Sequence, residues 1–275
     1  MTRFGVHVGL QHAQPDELRS TWRRIEELGF HWISVWDHFY GATGDADDAE
    51  CLEAVTMHTA LALDTTRVEV GCLVYSVGYR HPAVLAKAIT AIDLLSGGRA
   101  AIGLGGGWAE VEYRAFGIPF PGAGERLDQL GEAAACVRGL LHDEVTTFAG
   151  RHFSLTDARN EPRPAQPRIP IWIGGNAKLT LRRVAERAQG WMPLSGPAAM
   201  FSTVRSPGIS SDDEFAARLA MLKDYAGDRF GDLDIAMAYT DEDRFDRSSS
   251  AVERQRDKLG RMAEMGVNWV IVGGP

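Results

Sequence analysis

Residues 67–105 read RVEVGCLVYSVGYRHPAVLAKAITAIDLLSGGRAAIGLG, and the fold turns on how this stretch is read. Arg67–Val74 is a short, valine-rich run that is apolar on both faces, as a strand buried in a parallel sheet requires. Pro82–Leu95 follows with amphipathic helical spacing, and Ala100–Gly105 repeats the strand pattern. Strand, helix, strand is a crossover unit, and crossovers join parallel neighbours.

The same alternation continues in both directions. Further strands are expected at Phe4–Gly9, Trp32–Trp36, Ile169–Ile173, Gly190–Pro193, Leu233–Tyr239 and Asn268–Val272. Helices are expected at Asp16–Leu28, Glu50–Leu63, Glu125–Leu141, Lys178–Ala188, Asp212–Phe230 and Ser250–Met265. The first follows Pro15 and stops at Gly29, and Gly266 lies just past the last, which are the start and stop signals of helices. Eight strands with seven intervening helices favour one (β/α)8 TIM barrel over residues 1–275; six or seven strands would fit an open doubly wound sheet. The last strand runs into Gly273-Gly274-Pro275, so the closing helix is expected to be absent or truncated. Two segments break the rhythm. His142–Pro170 holds a hairpin signal around Ala149-Gly150 and then a proline-rich run, and Leu194–Ser211 reads as a mobile surface loop. Both are expected on the side of the barrel that carries the active site.

Composition narrows the function classes. The 275 residues are 45% hydrophobic and 24% charged, with a net charge of −8 and no basic run, which argues against nucleic-acid binding. No apolar stretch approaches a membrane span. Cys51, Cys72 and Cys136 are dispersed and odd in number, so they read as free thiols in a reducing, cytoplasmic compartment. The histidines form no HxH or HExxH pattern and no GxSxG elbow occurs, so no metal site is expected and a serine hydrolase is disfavoured.

In a parallel barrel the residues just past each strand converge on one mouth. Two of these ends are glycine turns, Gly105-Gly106-Gly107-Trp108 and Gly174-Gly175-Asn176. Glycine lets backbone N–H groups approach an anion, and the second turn leads into a helix whose N-terminus favours a phosphate. Either turn could instead be only a tight connection. The first superficially resembles a dinucleotide fingerprint but lacks the third glycine in its place. Asp37-His38 ends the strand Trp32–Trp36; it is either a structural pair or an imidazole oriented for proton transfer. Trp36, Trp108 and Trp191 lie at strand ends, where facing a ligand and packing are equally open; the other tryptophans read as core.

The motifs Arg80-His-Pro82, Leu85-Ala-Lys87, Ile92 to Arg99, Gly103 to Trp108 and Glu112 through Phe116-Gly117 resemble the bacterial luciferase-like superfamily. Trp36-Asp-His-Phe39, Gly124-Glu-Arg126, Phe148 to Phe153, Pro170 to Gly175 and Gly190 to Pro193 extend the resemblance to about residue 193. It implies a TIM barrel with an insertion after strand four, a homodimer, and reduced FMN or coenzyme F420 as cofactor. Asp-His after the second strand, where FMN-using luciferases carry Glu-His-His, implies the F420 branch. It further implies that His38 is catalytic, that Asp37 contacts the deazaflavin, and that a non-prolyl cis peptide at Leu73-Val74 buttresses the ring. Gly105, Gly106 and Gly107 would pass beside the cofactor, while Gly174, Gly175 and Asn176 would bind its phosphate-bearing tail. Three departures stand out. Trp108 replaces the catalytic Glu of the sugar-phosphate dehydrogenases, which removes that substrate. The turn from Gly174 to Lys178 is shorter than usual, and Gln189 replaces an acidic residue before Gly190.

The expected function is therefore an oxidoreductase moving a hydride between F420 and a small organic substrate. The alternatives are an FMNH2-dependent monooxygenase fed by a partner flavin reductase, and a non-catalytic flavin-binding barrel.

Overall fold

The structure, a computed structural model, describes residues 2–41, 50–196, 201, 207–240 and 246–274. All eight expected barrel strands are present as β1 (Arg3–His7), β2 (Trp32–Val35), β3 (Glu69–Cys72) with β4 (Tyr75–Ser76), β5 (Ile102–Gly105), β8 (Ile171–Gly174), β9 (Gly190–Met192), β10 (Asp234–Tyr239) and β11 (Trp269–Gly273). β3 and β4 are two pieces of one barrel position, interrupted at Leu73 and Val74. The strands are hydrogen-bonded in the order β3-β2-β1-β11-β10-β9-β8-β5-β4, all parallel. A bridge between Val70 and Ala100 brings β3 back onto β5 and closes the ring.

The helices are α1 (Pro15–Glu27), α2 (Ala54–Asp64), α3 (Pro82–Ser96), α4 (Glu110–Ala115), α5 (Ala123–His142), α6 (Lys178–Arg187), α7 (Asp212–Ala226) and α8 (Ser249–Glu264). α3 shows how local sequence sets the limits. Pro82 takes the first turn, the His81 ring accepts the Ala83 N–H at 3.2 Å, and Gly97 ends the helix at φ +70°. α2 starts later than expected because the Glu53 carboxylate caps it, accepting the N–H groups of Val55 and Thr56. The short α4 was not expected; its six residues follow a glycine-rich run with no helical period of its own.

β6 (Thr146–Ala149) and β7 (Ser154–Ala158) form the expected antiparallel hairpin, but not on the active-site side. They follow the helix α5 rather than a strand, and helices here run opposite to strands, so the insertion leaves from the amino-terminal face. Its tip climbs the outside of α5, where the Glu132 carboxylate accepts the N–H groups of Arg151, His152 and Phe153 at 2.8, 2.8 and 3.0 Å. The segment that follows is stitched beneath α3 and α5 by Asn160, Arg163 and Gln166. The expected loop Leu194–Ser211 lies partly outside the described residues. No helix among the described residues is long and apolar enough to cross a membrane.

Two cores result. The larger lies between the strand ring and the helices. The smaller fills the ring itself with Trp32, Trp172 and Trp269, backed by Leu73, Ala101, Ala236 and Ile271. Trp32 stacks on Trp172 at 4.8 Å between centroids, and Trp269 meets both edge-on. The indoles fit because glycines face them. A Cβ on Gly71 would lie 2.3 Å from the Trp32 ring, and one on Gly190 would lie 2.5 Å from Trp172. Gly71→Ala is therefore expected to destabilise the protein by about 1–3 kcal/mol through overpacking. Thermal unfolding would register this as a fall in midpoint of about 2–4 °C per kcal/mol. An unchanged midpoint would show that the tryptophan cluster has slack.

Candidate active site

Above the tryptophans the ring opens into a cavity of about 330 Å³ at the carboxyl ends of the strands. Every sequence-derived site residue lines it: Asp37, His38, Leu73, Val74, Gly105, Gly106, Gly107, Gly174, Gly175 and Asn176. No residue of the 142–170 insertion does, so that segment does not wall the site.

The floor comes from the junction of β3 and β4. The Leu73–Val74 peptide is cis, as the resemblance implies, and Val74 presents its methyl groups to three glycines. A Cβ on Gly103 or Gly105 would lie 2.9 or 2.5 Å from Val74, so only glycine lets these strands pass the valine so closely. Gly107 is constrained twice, by φ +75° and by a Cβ position 2.1 Å from the Tyr113 hydroxyl.

The acidic end of β2 splits into two buried networks. Asp37 is committed to structure. Its carboxylate receives a two-pronged contact from Arg80 at 2.6 and 3.0 Å and the Ser76 N–H at 2.9 Å. Burial pushes the Asp37 carboxyl up, while Arg80 and Ser76 pull against that shift. Arg80 also reaches Glu53, the cap of α2, at 3.1 Å. Asp37 thus lines the cavity with both oxygens already engaged, so the implied contact with a ligand ring does not fall to a free carboxylate.

His38 belongs to the second network. Its Nδ1 lies 2.6 Å from Glu112 Oε1, and its ring sits edge-on between Trp36 and Trp108. Glu112 is 1% exposed, and its other oxygen accepts the Phe39 N–H at 3.0 Å and the Tyr79 hydroxyl. Burial alone would raise the Glu112 carboxyl, but the bonds from His38, Tyr79 and Phe39 hold it below the usual carboxylate range. Arg126, on α5, lines the same cavity while donating to the carbonyls of Gly107 and Pro121 and stacking on Phe120.

At the far side, Gly175 takes φ +114° before α6, whose first N–H groups point outward from the helix start. Asn176 is fully buried, with its side chain consumed by the loop beyond β9: it donates to the carbonyls of Leu194 and Pro207 and accepts the Leu194 N–H. An anion at this turn would therefore meet backbone rather than the amide side chain. Two other expectations change. Trp191 is buried, stacked on Phe215 and bonded to the Gly175 carbonyl, so it packs and does not face a ligand. Gln189 bonds Ile171 at the opposite end of the barrel, away from the cavity.

Arg80, Glu112 and Arg126 carry the family pattern in the sequence, but no role for them was visible there. Their functions depend on partners far along the chain, since Glu112 meets His38 across 74 positions.

A cavity of this size over the strand ends, with an imidazole at its rim, is the place where a barrel keeps its chemistry. Residues 1–205 match the luciferase-like monooxygenase family, and the chain belongs to that family. An F420-dependent glucose-6-phosphate dehydrogenase of Intrasporangium calvum is 33% identical over 199 residues, covering 71% of this chain and 59% of that protein. An uncharacterized protein of Mycobacterium tuberculosis is 32% identical over 200 residues, covering 71% and 67%. The chain thus spans less than two thirds of the length of the first of these curated relatives. Among solved structures, an F420-dependent secondary alcohol dehydrogenase superposes with a TM-score of 0.75 at 18% identity, covering 99% of this chain and 93% of that one. The monooxygenase RslO1 from Streptomyces bottropensis gives 0.73 at 20%, covering 99% and 94%. These two share the fold.

The buried histidines make the stability pH-dependent. Burial, then the neighbouring His38, lowers His7 to about 4, and burial lowers His58 to about 4. Both bind protons more weakly folded than unfolded. Between pH 6.5 and 4 the unfolded chain holds more protons, so stability is full above about pH 6.5 and falls as the pH drops. Each contributes on the order of 3 kcal/mol across that window. Denaturant unfolding at a series of pH values should show the fall, with a shallower slope in His58→Gln; equal slopes would exclude His58 as a source.

Proposed function

We propose that this chain is an F420-dependent oxidoreductase acting on a small, uncharged organic substrate. The observation that carries the reading is the apolar, glycine-walled slot over Val74, with His38 at its rim and a phosphate-compatible turn at its far side. The residues present fit the group. Gly103, Gly105 and Gly174 keep the Val74 wall clear of side chains, and the start of α6 offers backbone N–H groups to an anion. The F420-dependent glucose-6-phosphate dehydrogenase named above, at 33% identity, supports F420 over FMN.

When bound, F420 supplies a hydride donor or acceptor at C5 of its deazaflavin. The remaining work falls to this chain. Val74 with Gly105, Gly106 and Gly107 supports the ring; Gly174, Gly175 and the backbone of Asn176 hold the tail. Asp37 acts through Arg80 and Ser76, fixing the β4 end of the floor. His38 exchanges the substrate proton, while Trp36 and Trp108 flank it and keep water from the imidazole. Trp108 also bears on the substrate. It sets an indole beside the imidazole, and Arg126, the cation lining the described cavity, is already spent on two carbonyls. That environment favours an uncharged substrate over a sugar phosphate.

Titration of the purified protein with F420 and with FMN, followed by tryptophan fluorescence, tests the reading. Micromolar F420 binding with much weaker FMN binding is expected. Gly107→Ala should weaken F420 at least about tenfold, because the added Cβ meets Tyr113 at a backbone angle that disfavours any side chain. Preference for FMN would instead support an oxygen-using monooxygenase, and binding of neither would leave a non-catalytic barrel.

A homodimer is part of the same proposal. α2 and α3 pack side by side, and both are apolar around most of their circumference. Their outer face exposes Leu63, Val84, Leu94 and Leu95, while its lysine, Lys87, is turned to the Glu161 carbonyl. Light scattering should give twice the 30.1 kDa chain mass, and Leu95→Glu should return the chain mass with the fold intact. A monomeric parent protein would refute it.

A further inference from the structure

The two oxygens of Glu112 have unequal duties. Oε2 accepts the Phe39 N–H, an obligatory donor, and the Tyr79 hydroxyl, which donates to it because the carboxylate is ionised. Oε1 faces one partner, His38 Nδ1, at 2.6 Å. A carboxylate has no proton to donate, and its low pKa keeps it ionised, so in the neutral imidazole the proton belongs on Nδ1. The other ring nitrogen, Nε2, has no hydrogen bond to a described residue, and His38 lines the cavity.

We infer that Glu112 is the positioning residue that fixes the tautomer of His38, presenting Nε2 to the cavity as a proton acceptor. The proton of a substrate hydroxyl then has a defined acceptor: the O–H bond breaks, an Nε2–H bond forms, and the imidazolium charge is met by Glu112 on the opposite nitrogen, while the hydride on the substrate carbon would pass to oxidised F420, the two-electron acceptor of the proposed reaction. Tyr79 and Phe39 keep the carboxylate from rotating away. The inference rests on the F420 reading only for the reaction it serves; the tautomer belongs to the chain alone.

Glu112→Gln separates this role from a merely structural one. The amide oxygen must take the Oε2 place, because the Phe39 N–H there can only donate. The amide NH2 is thereby turned to His38 Nδ1, which must become an acceptor, and the proton moves to Nε2. Every bond in the network survives, so the fold should persist while the cavity nitrogen changes from acceptor to donor.

Nitrogen NMR of ring-labelled histidine in cofactor-free protein at alkaline pH reads this directly. The parent protein should show the Nδ1–H form of His38 and Glu112→Gln the Nε2–H form. Tyr79→Phe, which removes a donor from Oε2 and leaves the His38 bond, should keep the parental form. In the same variants, turnover of an alcohol by the F420-loaded enzyme should fall about 10²–10⁴-fold for Glu112→Gln and far less for Tyr79→Phe. An Nε2–H form in the parent overturns the inference, as does an unchanged tautomer in folded Glu112→Gln. If Glu112→Gln does not fold, the parental tautomer and Tyr79→Phe still decide. Correct tautomers with no F420 binding would leave the inference standing and refute the cofactor reading instead.

Discussion

The structure depends on how the inside of the strand ring is filled. A closed ring of parallel strands has an interior that must be packed by side chains, and here three indoles do most of it. Indoles are large enough to reach across the ring, so the strands facing them can carry only glycine or alanine at the contact, as at Gly5, Gly71, Gly190, Ala101 and Ala236. The consequence is vertical. Because the tryptophans occupy the amino-terminal half, the carboxyl half needs no filler. The indoles end at Leu73, Val74 and Met192, and what lies above is a cavity rather than core. The floor of the site is thus the top of the hydrophobic plug, and its position follows from residues that touch no ligand.

Above the plug, charge replaces bulk as the organising quantity. Two carboxylates, Asp37 and Glu112, are buried around the carboxyl end of β2, and each is matched by its own donors. Asp37 is paired with a guanidinium and a backbone N–H, and Glu112 with an imidazole, a phenol and a backbone N–H. An unpaired buried carboxylate would be strongly unfavourable. Their pairing tells them apart: Asp37 faces a cation that never gives up its proton, so the pair is static. Glu112 faces an imidazole, a ring that can carry a proton on either nitrogen, so its pair is suited to proton transfer. Adjacent positions just past β2 therefore hold a structural anion and an imidazole that lines the cavity.

Strand and helix periodicity exposed the barrel because each strand is short, apolar on both faces and separated from the next by an amphipathic segment. The glycine turns at residues 105–107 and 174–175 were legible for a similar reason, since glycine marks where backbone must approach backbone or ligand. Other features were not legible because their cause is distant. The hairpin at 146–158 is local, but its side of the barrel depends on whether it leaves a helix or a strand. α4 escaped notice because its six residues are held by what Glu112 and Tyr113 touch, not by their own propensity. Trp191 and Asn176 sit at strand ends, and only the packing of Phe215 and the bonds to nearby carbonyls show that their polar atoms are already used.

Asn176 also bears on how such a site can be varied. Its side chain closes three bonds to the segment from Leu194 to Pro207, and that segment returns to the barrel through the pairing of Ser195 with Ile209. The two described ends of this segment are thereby anchored to the turn that follows β8. Leu194 and Pro207 reach the cavity from these anchors. Asn176 uses only the backbone of these two residues, so their side chains can change one wall without disturbing the Val74 floor, the Asp37–Arg80 pair or the His38–Glu112 pair. The His38–Glu112 pair and this wall of the cavity are thereby held by separate sets of contacts, so either can vary while the other stays in place.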